Sequence, residues 1–131
     1  DWDELARLRD RWPGRLVLKG VLHREDAERA VALGADALVV SSHGARALDH
    51  APASIARLPE IVTAVGGRAE VLLDSGVRRG SDIAKAIALG ASGVLIGRAA
   101  LYGLAAAGQQ GVDRAIRLLA EETRRTMAYL G

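Results

Sequence analysis

Val31-Ala-Leu-Gly-Ala-Asp-Ala-Leu-Val-Val40 recurs 56 positions later as Ile87-Ala-Leu-Gly-Ala-Ser-Gly-Val-Leu-Ile96, and this internal repeat decides the fold. In each copy a helix of small and apolar residues ends at a glycine, Gly34 or Gly90, and a short apolar strand follows at once. Glycine enters the left-handed conformation after a helix without steric cost. A further strand precedes each helix: Leu16-Val-Leu-Lys19 in the first copy and Val71-Leu-Leu-Asp74 in the second. The chain therefore reads as two β-α-β units, and a helix crossing between two strands makes them parallel.

Working outward, a helix around Pro59 to Val65 joins the two units. Trp2, Leu5, Leu8 and Trp12 stand at roughly helical spacing and predict an amphipathic first helix with the tryptophans as packing residues. Val112, Ile116, Leu119, Met127 and Leu130 predict a last helix with one apolar face. The order is α-β-α-β-α-β-α-β-α, four parallel strands each followed by a helix. A closed TIM (β/α)8 barrel takes eight strands and about 250 residues, so 131 residues with four strands fit half of one. An open doubly wound sheet is the alternative, although no Gly-x-Gly-x-x-Gly turn follows any strand.

Half of the residues are hydrophobic, enough for one core of ordinary size. The absence of cysteine excludes disulfide frameworks, zinc thiolate sites and cysteine nucleophiles, and is compatible with a cytoplasmic protein. Eighteen basic residues are scattered among sixteen acidic ones for a net charge of +2, which argues against nucleic acid as a partner. There is no apolar stretch of bilayer length and no signal-peptide pattern. Asp1 stands where Met is usual, so one domain or a piece of one, cut from a longer chain, is expected.

The polar residues gather at the C-terminal ends of the four strands: Lys19, then Ser41 to Arg46, then Asp74 to Arg79, then Gly97-Arg98. A parallel barrel collects those ends around one ligand. Histidine is the side-chain type suited to proton transfer under neutral conditions, which makes His43 a candidate base, and Arg46 carries a planar fork suited to a carboxylate. Asp74-Ser75-Gly76-Val77-Arg78-Arg79-Gly80-Ser81 and Ile96-Gly97-Arg98 read as a phosphate cradle, because glycines let backbone N–H groups approach an anion at helix N-termini. An ordinary turn with a helix cap at Ser81 is the plainer reading. His23 and His50 read as incidental, and the three histidines lack metal-ligand spacing, so no metal site is expected.

Leu16-Val-Leu-Lys-Gly20, Val39-Val-Ser-Ser-His-Gly-Ala-Arg46, Leu48-Asp49, Leu72-Leu-Asp-Ser-Gly-Val-Arg-Arg-Gly80, Ile96-Gly-Arg98 and Leu101-Tyr-Gly-Leu104 occur in this order. Over nearly its whole length the chain thereby resembles the FMN-dependent 2-hydroxy-acid oxidases and dehydrogenases, which include glycolate oxidase, lactate oxidase and mandelate dehydrogenase. The resemblance implies the C-terminal half, strands five to eight, of one FMN-binding barrel, with the N-terminal half missing. It further implies that Lys19 lies by the flavin N1 and C2 carbonyl, that Ser41 lines the flavin, and that His43 is the catalytic base. Arg46 would clamp the substrate carboxylate, Asp74 and Arg78 would hold the ribityl and phosphate region, and Gly76, Gly97 and Arg98 would complete the phosphate site.

Four positions of the first loop depart from the family's common pattern: Ser42 for asparagine, Ala45 for glycine, Ala47 for a polar residue and His50 for glycine. Ser75 also stands where glycine is common. If residue 45 needs positive φ, alanine there costs about 1 kcal/mol. Two other readings compete. One is a different FMN- or phosphate-binding barrel, of the isopentenyl-diphosphate isomerase or inosine-monophosphate dehydrogenase type. The other is a non-catalytic half-barrel module, whose open sheet edges and apolar inner face would drive homo-oligomer formation.

Overall fold

Four strands, β1 (Val17–Val21), β2 (Ala37–Val40), β3 (Glu70–Leu73) and β4 (Gly93–Val94), form one parallel sheet in the computed structural model, which describes residues 1–131. Their spatial order is their chain order. The helices α1 (Trp2–Arg11), α2 (Arg24–Ala32), α3 (Ser54–Val65), α4 (Gly80–Ala88) and α5 (Arg98–Leu130) alternate with them. A doubly wound sheet reverses strand order at a switch point, and no reversal occurs here. The sheet is half of a (β/α)8 barrel.

The two copies of the repeat end their helices in the same way. Gly34 (φ 86) donates to the Val31 carbonyl and Ala35 to that of Ala30; Gly90 (φ 98) donates to Ile87 and Ala91 to Ala86. Each glycine satisfies carbonyls that the helix would leave unpaired and turns the chain into the next strand. β2 is buried at every residue, as expected of a central parallel strand. Leu58, Ile61 and Val65 of α3 cover it together with Ala27 and Ala30 of α2, and Ala86 of α4 belongs to the same core. The alanines let their helices lie close to the sheet. Burying each larger side chain stabilises the fold by roughly 1.5–3 kcal/mol.

Several sequence expectations shift. β4 is two residues long rather than running to Ile96, because β3 turns away after Leu73 and the last link is Leu95 N–H to the Leu73 carbonyl. α3 starts at Ser54, before Pro59, since burying Leu58 on the face of Ile61 and Val65 outweighs the one hydrogen bond that proline cannot donate. α5 begins at Arg98, and Ala107 and Gly108 break it with non-helical torsions. Of its expected apolar face only Leu119 is buried; Ile116, Met127 and Leu130 are exposed. In α1 nothing is fully buried. Trp2 stacks on Arg29, 4.8 Å from the ring centroid, whereas Trp12 is half exposed and donates Nε1 to the Arg15 carbonyl.

Candidate active site

The C-terminal ends of the strands open onto one cleft of about 620 Å3, lined by Lys19, His43, Arg46, Asp74, Arg78 and Arg98 with Gly44, Ser75, Gly76 and Gly97. The strand-end residues singled out from the sequence thus converge, with Ser41 buried just beneath them. His23 and His50 do not join them; both are exposed elsewhere. No cluster of metal-binding side chains is present.

Lys19 Nζ donates to Ser41 Oγ at 2.7 Å and forms an ion pair with Asp74. The Asp74 carboxyl is held below the usual aspartate range: its partial burial acts the other way, but hydrogen bonds from Lys19 and Ser75 outweigh that. A fixed ammonium between the ends of β1, β2 and β3 is the result. Parallel register places it there, because Lys19 pairs with Val39 and Val39 with Leu72.

The turn after β2 carries His43 in an unusual backbone. His43, Gly44 and Ala45 all have positive φ, at 55°, 68° and 61°. Three successive amides are held by three serine hydroxyls: Ser42 N–H by Ser54 at 3.0 Å, His43 N–H by Ser41 at 3.1 Å and Gly44 N–H by Ser75 at 2.9 Å. Ser75 was read from the sequence only as part of the cradle motif, standing where glycine is common, not as a partner of the His43 turn, and Ser54 escaped the sequence reading, as a lone serine outside a motif does. Gly20 also escaped it: at φ 104 it leaves room for the His43 ring, and a Cβ there would lie 2.9 Å from the ring Cε1.

Ala45 bears the cost the sequence raised. Ala45→Gly should therefore stabilise the protein by roughly 1 kcal/mol, offset in part by glycine's greater freedom when unfolded. Urea denaturation of variant and parent measures this, and a destabilised glycine variant would show that the turn is not under strain.

The ends of β3 and β4 make the anionic end of the cleft. Gly76 and Val77 donate their backbone N–H groups to no protein group, and neither do Gly97, Arg98 and Ala99 at the start of α5. No atom stands within 4 Å of where a Cβ would project at Gly76 or Gly97. Arg46 and Arg78 enter no ion pair, while Arg98 reaches the Gly44 carbonyl at 3.2 Å. The start of α4 is capped by Asp82, which accepts from Arg78 N–H at 3.0 Å and Arg79 N–H at 2.9 Å, not by Ser81. Free amides, unpaired guanidinium groups and open space above two glycines fit a phosphate monoester such as that of FMN.

Fold and rim together define the anion-binding half of a (β/α)8 barrel. The chain belongs to the FMN-dependent dehydrogenase family, whose profile matches residues 1–131. It is 58% identical over 130 residues to an L-lactate oxidase of Nostoc sp., covering 99% of this chain and 36% of that protein. It is 54% identical over 118 residues to a pre-mycofactocin synthase of Mycolicibacterium smegmatis, covering 90% of this chain and 30% of that one. A solved mandelate oxidase variant with a monooxide FMN adduct superposes with a TM-score of 0.93 at 52% identity, covering 98% of this chain and 41% of the other. The chain spans about a third of the length of these curated relatives. Its fold is that of the C-terminal half of the barrel, and the isomerase and inosine-monophosphate dehydrogenase readings give way to this family.

Proposed function

We propose that this chain forms the catalytic half of an FMN-dependent enzyme that oxidises a 2-hydroxy acid to the 2-oxo acid. The observation that carries the proposal is the convergence of His43, Arg46, Lys19 and the amide-rich anion end on a single cleft. FMN bound there supplies a two-electron acceptor. His43, at the cleft surface, takes a proton from the substrate as the C–H bond of the hydroxyl-bearing carbon is broken. Arg46, free of protein partners, holds the substrate carboxylate through a two-point contact. Lys19 sets a positive charge where the reduced cofactor gains negative charge, and Ser41 keeps that ammonium in place. Asp74, Arg78, Gly76, Gly97 and Arg98 hold the ribityl and phosphate portion.

In this reading residues 1–131 are half of a single FMN-binding domain, completed by a second half-barrel that supplies the other four strands. Exposed Leu101, Tyr102, Leu104 and Tyr129 favour further association, so a homo-oligomer belongs to the reading as well. So does a cytoplasmic location, which a cysteine-free chain permits; no helix is long and apolar enough to cross a membrane.

The test is FMN binding by the complete protein. Gly97→Val with Arg98→Ala should weaken it by roughly tenfold or more, since one change blocks the approach of the phosphate to the backbone and the other removes a charge-assisted hydrogen bond. Fluorescence quenching in FMN titrations reads the affinity, and circular dichroism monitors the fold. Unaltered affinity with native-like spectra would remove this rim from the phosphate site.

A further inference from the structure

We infer that Ser75 is a positioning residue for the proton-transfer step, tying the turn that carries His43 to the strand end that carries Asp74; the inference rests on His43 acting as the base. Ser75 Oγ donates to Asp74 Oδ1 at 2.7 Å and accepts from Gly44 N–H at 2.9 Å. Both functions of one hydroxyl are used, so its orientation is fixed from two sides. The connection continues from Asp74 to Lys19 and from Lys19 to Ser41, whose Oγ accepts from His43 N–H at 3.1 Å. A closed loop of contacts thus begins and ends on adjacent amides of the His43 turn.

This turn needs holding. Three consecutive left-handed residues, two of them not glycine, are sparsely populated by a free chain and persist only where surrounding contacts fix them. The Ser42 and His43 amides are anchored by serines of α3 and of the same strand end, whereas the Gly44 amide is anchored by Ser75, with Arg98 donating to the Gly44 carbonyl at 3.2 Å. Ser75 itself sits at φ 71. Its conformation would suit glycine better, so the hydroxyl is what the position gains from serine.

The test compares Ser75→Gly and Ser75→Ala in the complete FMN-loaded enzyme. Glycine relieves the backbone and removes the hydroxyl, so a loss shared by both variants is a loss of the hydroxyl and not of backbone fit. Amide hydrogen exchange should quicken by about tenfold in peptides spanning residues 42–47, with the remaining chain unchanged. Turnover at saturating substrate should fall by about 10- to 100-fold through misplacement of the base, with KM and FMN affinity within about threefold of the parent.

Parental exchange in that segment overturns the proposal. So does parental turnover with quickened exchange, and so does a parental Ser75→Gly beside an impaired Ser75→Ala, which would reduce the effect to backbone strain. Failure of the base assignment is distinguishable. It shows as turnover retained by His43→Ala, whereas the exchange measurement on the Ser75 variants does not depend on what His43 does.

Discussion

His43→Ala should lower turnover by roughly 100- to 10,000-fold, the range that removal of a positioned general base produces. FMN should remain bound, because the His43 ring lies beside Gly20 of β1, whereas the free amides of Gly76, Val77, Gly97 and Arg98 belong to the turns after β3 and β4. The fold should be nearly untouched: His43 is exposed, and the turn is anchored through its backbone rather than its side chain. Stopped-flow reduction of the bound flavin by a 2-hydroxy acid isolates the step in question from reoxidation. Undiminished flavin reduction in a correctly folded, FMN-loaded variant would end the assignment of His43 as base. Arg46→Lys offers a graded companion, with a raised KM and a lowered kcat, because an ammonium cannot make the two-point contact of a guanidinium.

The residues that could be read from the sequence were those whose type and chain position coincide. Gly34 and Gly90 announced helix ends because a left-handed cap after an apolar helix has few other occupants, and both caps form as expected. Lys19, His43, Arg46 and Arg98 were legible because a parallel sheet brings strand ends together regardless of the distance in sequence. What hid from the sequence depends on contacts between distant segments. Ser54 and Ser75 each grip an amide of the His43 turn from another element. The length of β4 was set by where β3 turns away, and Ser75 with Gly76, both at positive φ, makes that turn. Gly103 and Gly111 let the helical stretches on either side of the break at Ala107 and Gly108 meet, with a Cβ at Gly103 placed 2.4 Å from the Gly111 carbonyl oxygen.

Gly80→Ala should damage stability and FMN binding together, although Gly80 does not line the cleft. Gly80 opens α4 against α5, and a Cβ there would lie 2.1 Å from Thr123 N and 2.4 Å from the Glu122 carbonyl carbon. Both are backbone atoms, so no side chain can rotate away, and the two helices must separate. Separation also breaks the hydrogen bond from Gly80 N–H to Glu122 Oε2 (2.9 Å) and the contact of Arg79 with the same carboxylate (3.1 Å). Those two contacts hold the Glu122 carboxyl below the usual glutamate range, the Gly80 amide foremost. In the parent, this part of the docking is present above the ordinary glutamate range and lost as pH falls through the depressed value. Overpacking of this kind costs about 1–3 kcal/mol. The expected loss is therefore about 1–3 kcal/mol, read as a lowered urea midpoint, and the acid sensitivity carried by Glu122 should shrink in the variant. Since α4 and α5 begin at the two loops that present free amides to the anion, their separation should also widen the cradle and weaken FMN binding. A Gly80→Ala protein with parental midpoint and parental FMN affinity would mean that the helices are not in contact at this point and that the cradle does not depend on their docking.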